Sequence, residues 1–292
     1  EMSASLVGSE MCIRDRLIGV SKNHFDLDFY GSTSFAVTPV ISGNDAKITL
    51  DAYCNGEVEF EIDDGNEVVA KAKASGKNPS TVLEIKDVHL WDGVDDPFLY
   101  NASAKLIVDG QVADEVKTRF GCRTFEIDAQ KGFILNGRPY PLRGVSRHQD
   151  RPHIGNALLP EHHKEDMDLI CEMGANTIRL AHYQHAQYFY DLCDERGIIV
   201  WAEIPYISKH LEKGVENTIS QMKELIFQNY NHPSIVVWGV SNEITISTKD
   251  KKDMLDNHHV LNDLCHKMDP TRLTTLACYA TVSYTHLRAH ET

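Results

Sequence analysis

The segment Asn229–Glu243, NYNHPSIVVWGVSNE, sets two polar side chains that could do chemistry directly after an apolar run. Ser234–Val240 is short, carries paired β-branched residues and holds one Trp. That composition predicts a strand buried on both faces, as in a parallel sheet. Asn242 and Glu243 follow at its carboxyl end, and in barrels of alternating strands and helices that end of a strand carries the catalytic groups. A carboxyl at the rim of an apolar strand suits general acid chemistry. Three more stretches place polar groups alike: the run Arg143 to Asp150 with His148, the run Arg179 to Tyr183 with His182, and the pair Trp201 and Glu203. A lone His148 or Arg179 is ordinarily structural. The argument for a site is joint placement, because strands of one barrel bring these four sets to one rim.

The elements that must position them follow from patterning. Strands are predicted at Pro141–Ser146, Ala175–Arg179, Ile198–Glu203, Ser234–Asn242 and from Thr274. Between them lie helices at Pro160–Met173, His185–Arg196, Val215–Tyr230 and Asp250–Met268. The first opens on Pro and stops before Gly174, the second stops at Gly197, and the last ends at Asp269-Pro270. Strands alternating with helices predict parallel βα units, about four and a half of them where a closed barrel needs eight. Residues 39–120 read differently. Ala46–Tyr53, Val58–Asp63, Glu67–Ala72, Thr81–Ile85, Tyr100–Val108 and Gln111–Arg119 alternate with period two, and Asp63 to Asn66 and Asp109-Gly110 make hairpin turns. Short strands at this spacing predict an immunoglobulin-like β-sandwich.

The text Asn229–Glu243 resembles the acid/base signature of glycoside hydrolase family 2, which covers β-galactosidases, β-glucuronidases and β-mannosidases. NTIRLAHYQHAQYFYDLCDERGIIVWAEIP (176–205) is similar to the family's second signature, and HLWDGVDDPFLY (89–100) to its sandwich domain. GVSRHQDRPHIGNAL (144–158) resembles the β-galactosidase branch more than the glucuronidase branch. Trp91, Pro97 and Tyr100 are read as packing residues. The resemblance implies a retaining hydrolase acting on a β-linked oligosaccharide or galactoside, with a β-glucuronidase-type hydrolase of the same family or a non-catalytic carbohydrate-binding protein as the alternatives. It implies Glu243 as general acid/base, Asn242 on the sugar 2-hydroxyl, His148 and His182 on other hydroxyls, and Arg179 orienting a nucleophilic carboxylate. Glu203, Trp201 and Arg143 are expected behind them. Some family members hold magnesium with a Glu and a His after the third strand. The aligned residues here are Ile207 and Lys209, which offer no oxygen ligand, so no metal or other cofactor is expected. The doublets His162-His163 and His258-His259 fall within helices, where neighbours point to different faces, so neither is expected to share a metal. The family's nucleophilic Glu comes from a later strand. Beyond Glu243 the sequence has only Glu291.

Composition bounds the rest. The chain has 292 residues, a net charge of −14, 42% hydrophobic and 25% charged residues. That charge excludes a nucleic-acid surface, which needs a basic face, and no apolar run is long enough to span a membrane. Seven Cys without regular spacing read as reduced thiols, which favours a reducing compartment such as the cytoplasm. Residues 1–16 and 282–292 resemble translated sequencing-adapter text and are set apart from fold reasoning. The organisation expected is residues 17–38 as the end of a preceding sugar-binding β domain with its linker, 39–120 as the sandwich, and 121–281 as the N-terminal half of a TIM (β/α)8 barrel. The chain is thus expected to be an internal fragment of a parent whose leader peptide stays open and which is free to be homo-oligomeric. As written it is expected to leave a β-galactoside uncleaved, which a chromogenic assay on the purified chain checks.

Overall fold

The computed structural model describes residues 22–279. The adapter-like ends at residues 1–16 and 282–292, and residues 17–21, 280 and 281 of the expected modules, lie outside the described residues.

The first module is a sandwich of two antiparallel sheets. One has the order β1-β2-β5, formed by β1 (Phe35–Ser42), β2 (Asp45–Ala52) and β5 (Ser80–Ile85). The other has the order β4-β3-β6-β7, formed by β3 (Asn55–Asp63), β4 (Val68–Lys77), β6 (Tyr100–Val108) and β7 (Gln111–Phe120). Period-two alternation decides which face turns inward. On β2 and β3, Ile48, Leu50, Val58, Phe60 and Ile62 are buried while their neighbours face outward. Asp109 and Gly110 both take positive φ (52° and 74°), the backbone a two-residue hairpin with native twist requires. The border expected at residue 39 falls inside β1, which pairs with β2 from Phe35 through Ser42. Phe25 is buried in the sandwich core, while Tyr30 stacks on Phe227. Phe25, Leu27 and Phe29 alternate with Asp26 and Asp28, which reads as the end of a strand, yet residues 22–34 run as bends and turns.

A three-stranded antiparallel sheet follows, order β10-β9-β8, from β8 (Phe125–Asp128), β9 (Gly132–Leu135) and β10 (Arg138–Pro139). Strands of two to four residues carry too few alternations to register as a pattern, and none was expected. Next comes a parallel sheet in simple chain order: β11 (Gly144–Arg147), β12 (Thr177–Leu180), β13 (Ile199–Glu203), β14 (Ile235–Asn242) and β15 (Leu273–Ala277). The connections are α1 (Pro160–Glu172), α2 (Gln187–Arg196), α3 (Val215–Gln228) and α4 (Lys251–Met268). Each helix buries one stripe on the sheet, such as Met222, Leu225 and Ile226 of α3. This is the opening part of a TIM barrel. β11 starts at Gly144 rather than Pro141, since the Pro lacks the amide a ladder needs. No described helix is long and apolar enough to cross a membrane. Among the described residues the Cys form no disulfide, and Cys193 and Cys265 are buried with Cys171 half-buried.

The modules are joined at the amino end of the barrel strands. Trp91 is fully buried among Phe133, Leu135, Tyr140, Ile199 and Val236, and its indole N–H donates to Asp194 O at 2.9 Å. It is a packing residue. Gly197 belongs to the same joint: its φ is +69°, and a Cβ there would stand 2.0 Å from Gly93 O. Arg119 ties the sandwich to Asp191 and Glu195 of α2. Trp91→Ala should lower unfolding stability by about 3–5 kcal/mol through transfer and cavity costs, read from urea unfolding by Trp fluorescence and circular dichroism.

Candidate active site

The carboxyl ends of β11 to β14 meet at one rim. Arg179 is on β12, and its row neighbour across the ladder is Trp201 of β13. Glu203 closes β13 and sits beside Gly239 of β14. Asn242 closes β14, and Glu243 follows it. Side chains two apart on a strand share a face, so Arg179, Trp201 and Glu203 point the same way. Gly239 makes room for them. A Cβ at that position would meet Trp201 Nε1 at 2.4 Å and Glu203 Cβ at 2.5 Å.

Arg179 is the hub. Its Nε and Nη2 reach Glu203 at 3.0–3.2 Å, and Nη2 also donates to Asn242 Oδ1 at 2.6 Å. The guanidinium lies 4.5 Å over the Trp201 ring. Glu203 is fully buried, and a buried carboxylate persists only when paired and hydrogen-bonded. His182 Nδ1 approaches Glu203 Oε1 at 2.8 Å and Arg179 Nη2 at 3.2 Å. One ring nitrogen cannot donate to the first and accept from the second; the shorter contact to the carboxylate places the proton on Nδ1 and leaves Nε2 as the acceptor toward the rim. Asn242 accepts from Arg179 through its oxygen, so its NH2 is the group left to donate. His148, exposed after β11, stands edge-on to His182 with ring centroids 4.9 Å apart. Glu243 is half-buried with φ +48°, its amide donates to Ala277 O at 2.7 Å, and its carboxyl makes no hydrogen bond or ion pair to another described residue.

Of the seven expected residues other than Glu243, the structure brings six together. Asn242, Arg179, His182, Glu203 and Trp201 form one contact network, and His148 borders it. Arg143 does not belong. It is exposed and precedes β11, where its carbonyl accepts from Asn176 N and Thr177 N at the opposite end of the sheet. The error follows from the misplaced strand start. The arginine that matters on β11 is Arg147, buried, paired with Asp166 at 2.7 Å, and within 3.0–3.1 Å of His185 Nδ1 and His163 Nδ1. It stacks on Phe189 at 4.0 Å. Burial works against the charged form of Asp166, but Arg151 and Arg147 outweigh it and hold the carboxyl below its usual range. His185 Nε2 contacts Ala181 O at 3.2 Å, so this cluster holds the loop that carries His182. Residues 16–38 apart leave no local motif by which to find it.

Ile207 and Lys209 are both exposed, and Ile207 bridges Asn242 through the backbone. Neither side chain fits a magnesium ion. His162 and His163 diverge, one capping Leu159 N and the other meeting Arg147. His258 meets Ser241 Oγ at 2.7 Å while His259 is exposed. Asp191, Asp194 and His232 bring ligand atoms within 4.8 Å of one another, but at the module joint, where His232 engages Asp194 and Asp191 engages Arg119.

A sandwich feeding a parallel βα sheet whose rim carries a carboxyl, an amide and a buried Arg–Glu pair defines the class of two-module sandwich and barrel proteins. The chain belongs to glycosyl hydrolases family 2: the model of that name matches residues 32–123, and the family's TIM barrel domain matches 125–288. A β-glucuronidase of Bacteroides fragilis is 41% identical over 278 residues, covering 86% of this chain and 39% of that protein. A β-galactosidase of Thermoanaerobacter pseudethanolicus is 32% identical, covering 82% and 31%. Among solved structures, an FMN-binding β-glucuronidase from Faecalibacterium prausnitzii superposes with TM-score 0.86 at 43% identity, covering 90% of this chain and 42% of that one. The Bacteroides uniformis β-glucuronidase 2 covalently bound to cyclophellitol-6-carboxylate aziridine gives 0.81 at 28%, covering 91% and 36%. The chain therefore spans roughly a third to two fifths of the length of these relatives.

Burial pushes His258 down to about 4, with neighbouring His210 and His259 acting the same way. Burial likewise lowers His185 to about 3, against the bond to Ala181 O. The unfolded chain takes up these protons near pH 6.5, so both groups leave stability intact above that pH and withdraw it as pH falls toward 4 and 3. The urea midpoint should hold steady from pH 8 to 7 and drop between 6.5 and 4, and His258→Gln should shrink that drop.

Proposed function

We propose that this chain is the sandwich and acid/base half of a retaining β-glycosidase. The observation that carries the reading is Glu243, a carboxyl at the rim without a partner among the described residues, next to Asn242 whose orientation Arg179 sets. In the reaction Glu243 protonates the departing glycosidic oxygen, then takes a proton from the water that releases the sugar. The Asn242 NH2 donates to the sugar 2-hydroxyl, His182 Nε2 and His148 meet further hydroxyls, and free Nη1 of Arg179 faces the second carboxylate. Glu203 is committed to Arg179 and His182, so it does not act as that nucleophile. The nucleophile belongs to a later strand, roughly 5–5.5 Å from the acid, and the chain by itself is inert.

The substrate reading is a terminal β-glucuronide, supported by the names of the 41% and 43% identical relatives. The second reading is a β-galactoside, supported by the 32% identical relative and by the resemblance of residues 144–158. Reducing chemistry in the cytoplasm and a homo-oligomeric parent remain part of this proposal rather than of the observed site. In the complete hydrolase, 4-nitrophenyl β-glucuronide should be cleaved at least about tenfold faster (kcat/KM) than the galactoside. The reverse order selects the second reading. Glu243→Gln should lower kcat/KM about 10²–10⁴-fold for a glycoside with a poor leaving group, and full retention of activity would refute the acid/base assignment.

A further inference from the structure

Glu243 is placed by its backbone, since its carboxyl is held by nothing among the described residues. The loop after β13 and the loop after β14 are zipped together around it. Asn242 N donates to Tyr206 O at 2.9 Å, Ser208 N to Asn242 O at 3.0 Å, and Ser247 N to Ser208 O at 2.9 Å. Ser208 and Glu243 both take positive φ, 60° and 48°, a backbone that non-glycine residues hold only when their surroundings impose it. One buried side chain fastens this zip to the next helix. His210 donates its amide to Thr248 Oγ1 at 2.8 Å, and the Thr248 hydroxyl donates to Ile244 O, the residue after the acid. The ring bridges Tyr206 OH at Nδ1 (2.5 Å) and Asp253 Oδ2 in the first turn of α4 at Nε2 (2.6 Å). One tautomer satisfies every contact: the phenol donates to Nδ1 and Nε2–H donates to the carboxylate.

We infer that His210 is a positioning residue for the acid/base, tying the β13 loop, the β14 loop and α4 into one rigid seat for Glu243. Where the family resemblance would set metal ligands, this chain has Ile207 and Lys209, so the restraint comes from side chains instead. The inference rests on the proposed hydrolase reading for its kinetic consequence but not for its structural one. A seat loosened by about an ångström costs a catalytic group much of its effect, and it costs most where the leaving group depends on proton donation.

The test has two arms. In the 292-residue chain, His210→Ala should speed amide hydrogen exchange at Ser208, Glu243 and Ser247 about tenfold or more, with β3 and β6 amides unchanged. Unchanged exchange at those three amides overturns the inference. Should His210→Ala unfold the chain, Tyr206→Phe, which keeps the shape and removes the hydroxyl that meets the His210 ring, is read in the same way. In the complete hydrolase, His210→Ala should lower kcat/KM roughly 10- to 100-fold for a methyl β-glycoside and under about threefold for a 2,4-dinitrophenyl β-glycoside. An equal loss on both substrates means a merely structural role and overturns it. If the unaltered hydrolase cleaves neither glycoside, the functional reading fails while the exchange arm still decides the seat.

Discussion

The buried pairing of Arg179 with Glu203 is the constraint from which the rest of the rim takes its form. A carboxylate with no exposure must be compensated on every lone pair it presents. Arg179 covers most of that requirement and His182 the remainder. The same guanidinium, once fixed, orients Asn242 and rests on Trp201. Gly239 is then obligatory, because the carboxylate and indole occupy the volume any larger residue would need. A single charge pair thus sets a tautomer, an amide orientation and a sequence position on three strands.

Around this pair the molecule uses two further devices for holding loops. On one flank Arg147, sunk between α1 and the β12 loop, gathers Asp166, His163 and His185. On the other, His210 gathers Tyr206, Thr248 and Asp253. Both put a planar, multiply bonding side chain in a dry place and satisfy it fully, which is the condition under which buried polar networks rigidify rather than destabilise. The module joint obeys the same rule at the far end of the sheet, where Asp194 accepts from Trp91, His232 and Ser234 at once.

Much of this was legible in the sequence wherever a pattern is local. The apolar run into Asn242 and Glu243 reads as a strand ending at a rim because seven neighbouring residues say the same thing. Tyr100–Val108 is found to the residue, since Tyr100 to Leu106 alternate between buried and half-buried positions. What escaped is what depends on partners far along the chain. Arg147 looked no different from Arg143 until the strand start was known, and His210 meets Asp253 across 43 residues. The alternation from Phe25 to Phe29 marks no strand, and the short strands after Phe120 carried too few residues to form a period. The Glu203 side chain could be read equally as a support behind the substrate contacts or as a buried ion-pair member, and the geometry shows it paired with Arg179.

The parallel sheet runs β11 to β15 in the order of the chain, so each strand lies against the one made just before it. On a ribosome, where domains fold as their amino-terminal parts emerge, Arg179 meets Glu203 after 24 further residues and Asn242 after 63. The contacts of Arg179 with Glu203 and Asn242 therefore all lie between strands made before β15. Translation order and assembly order coincide, and the later strands of a complete barrel would close upon a wall whose polar contacts are already made.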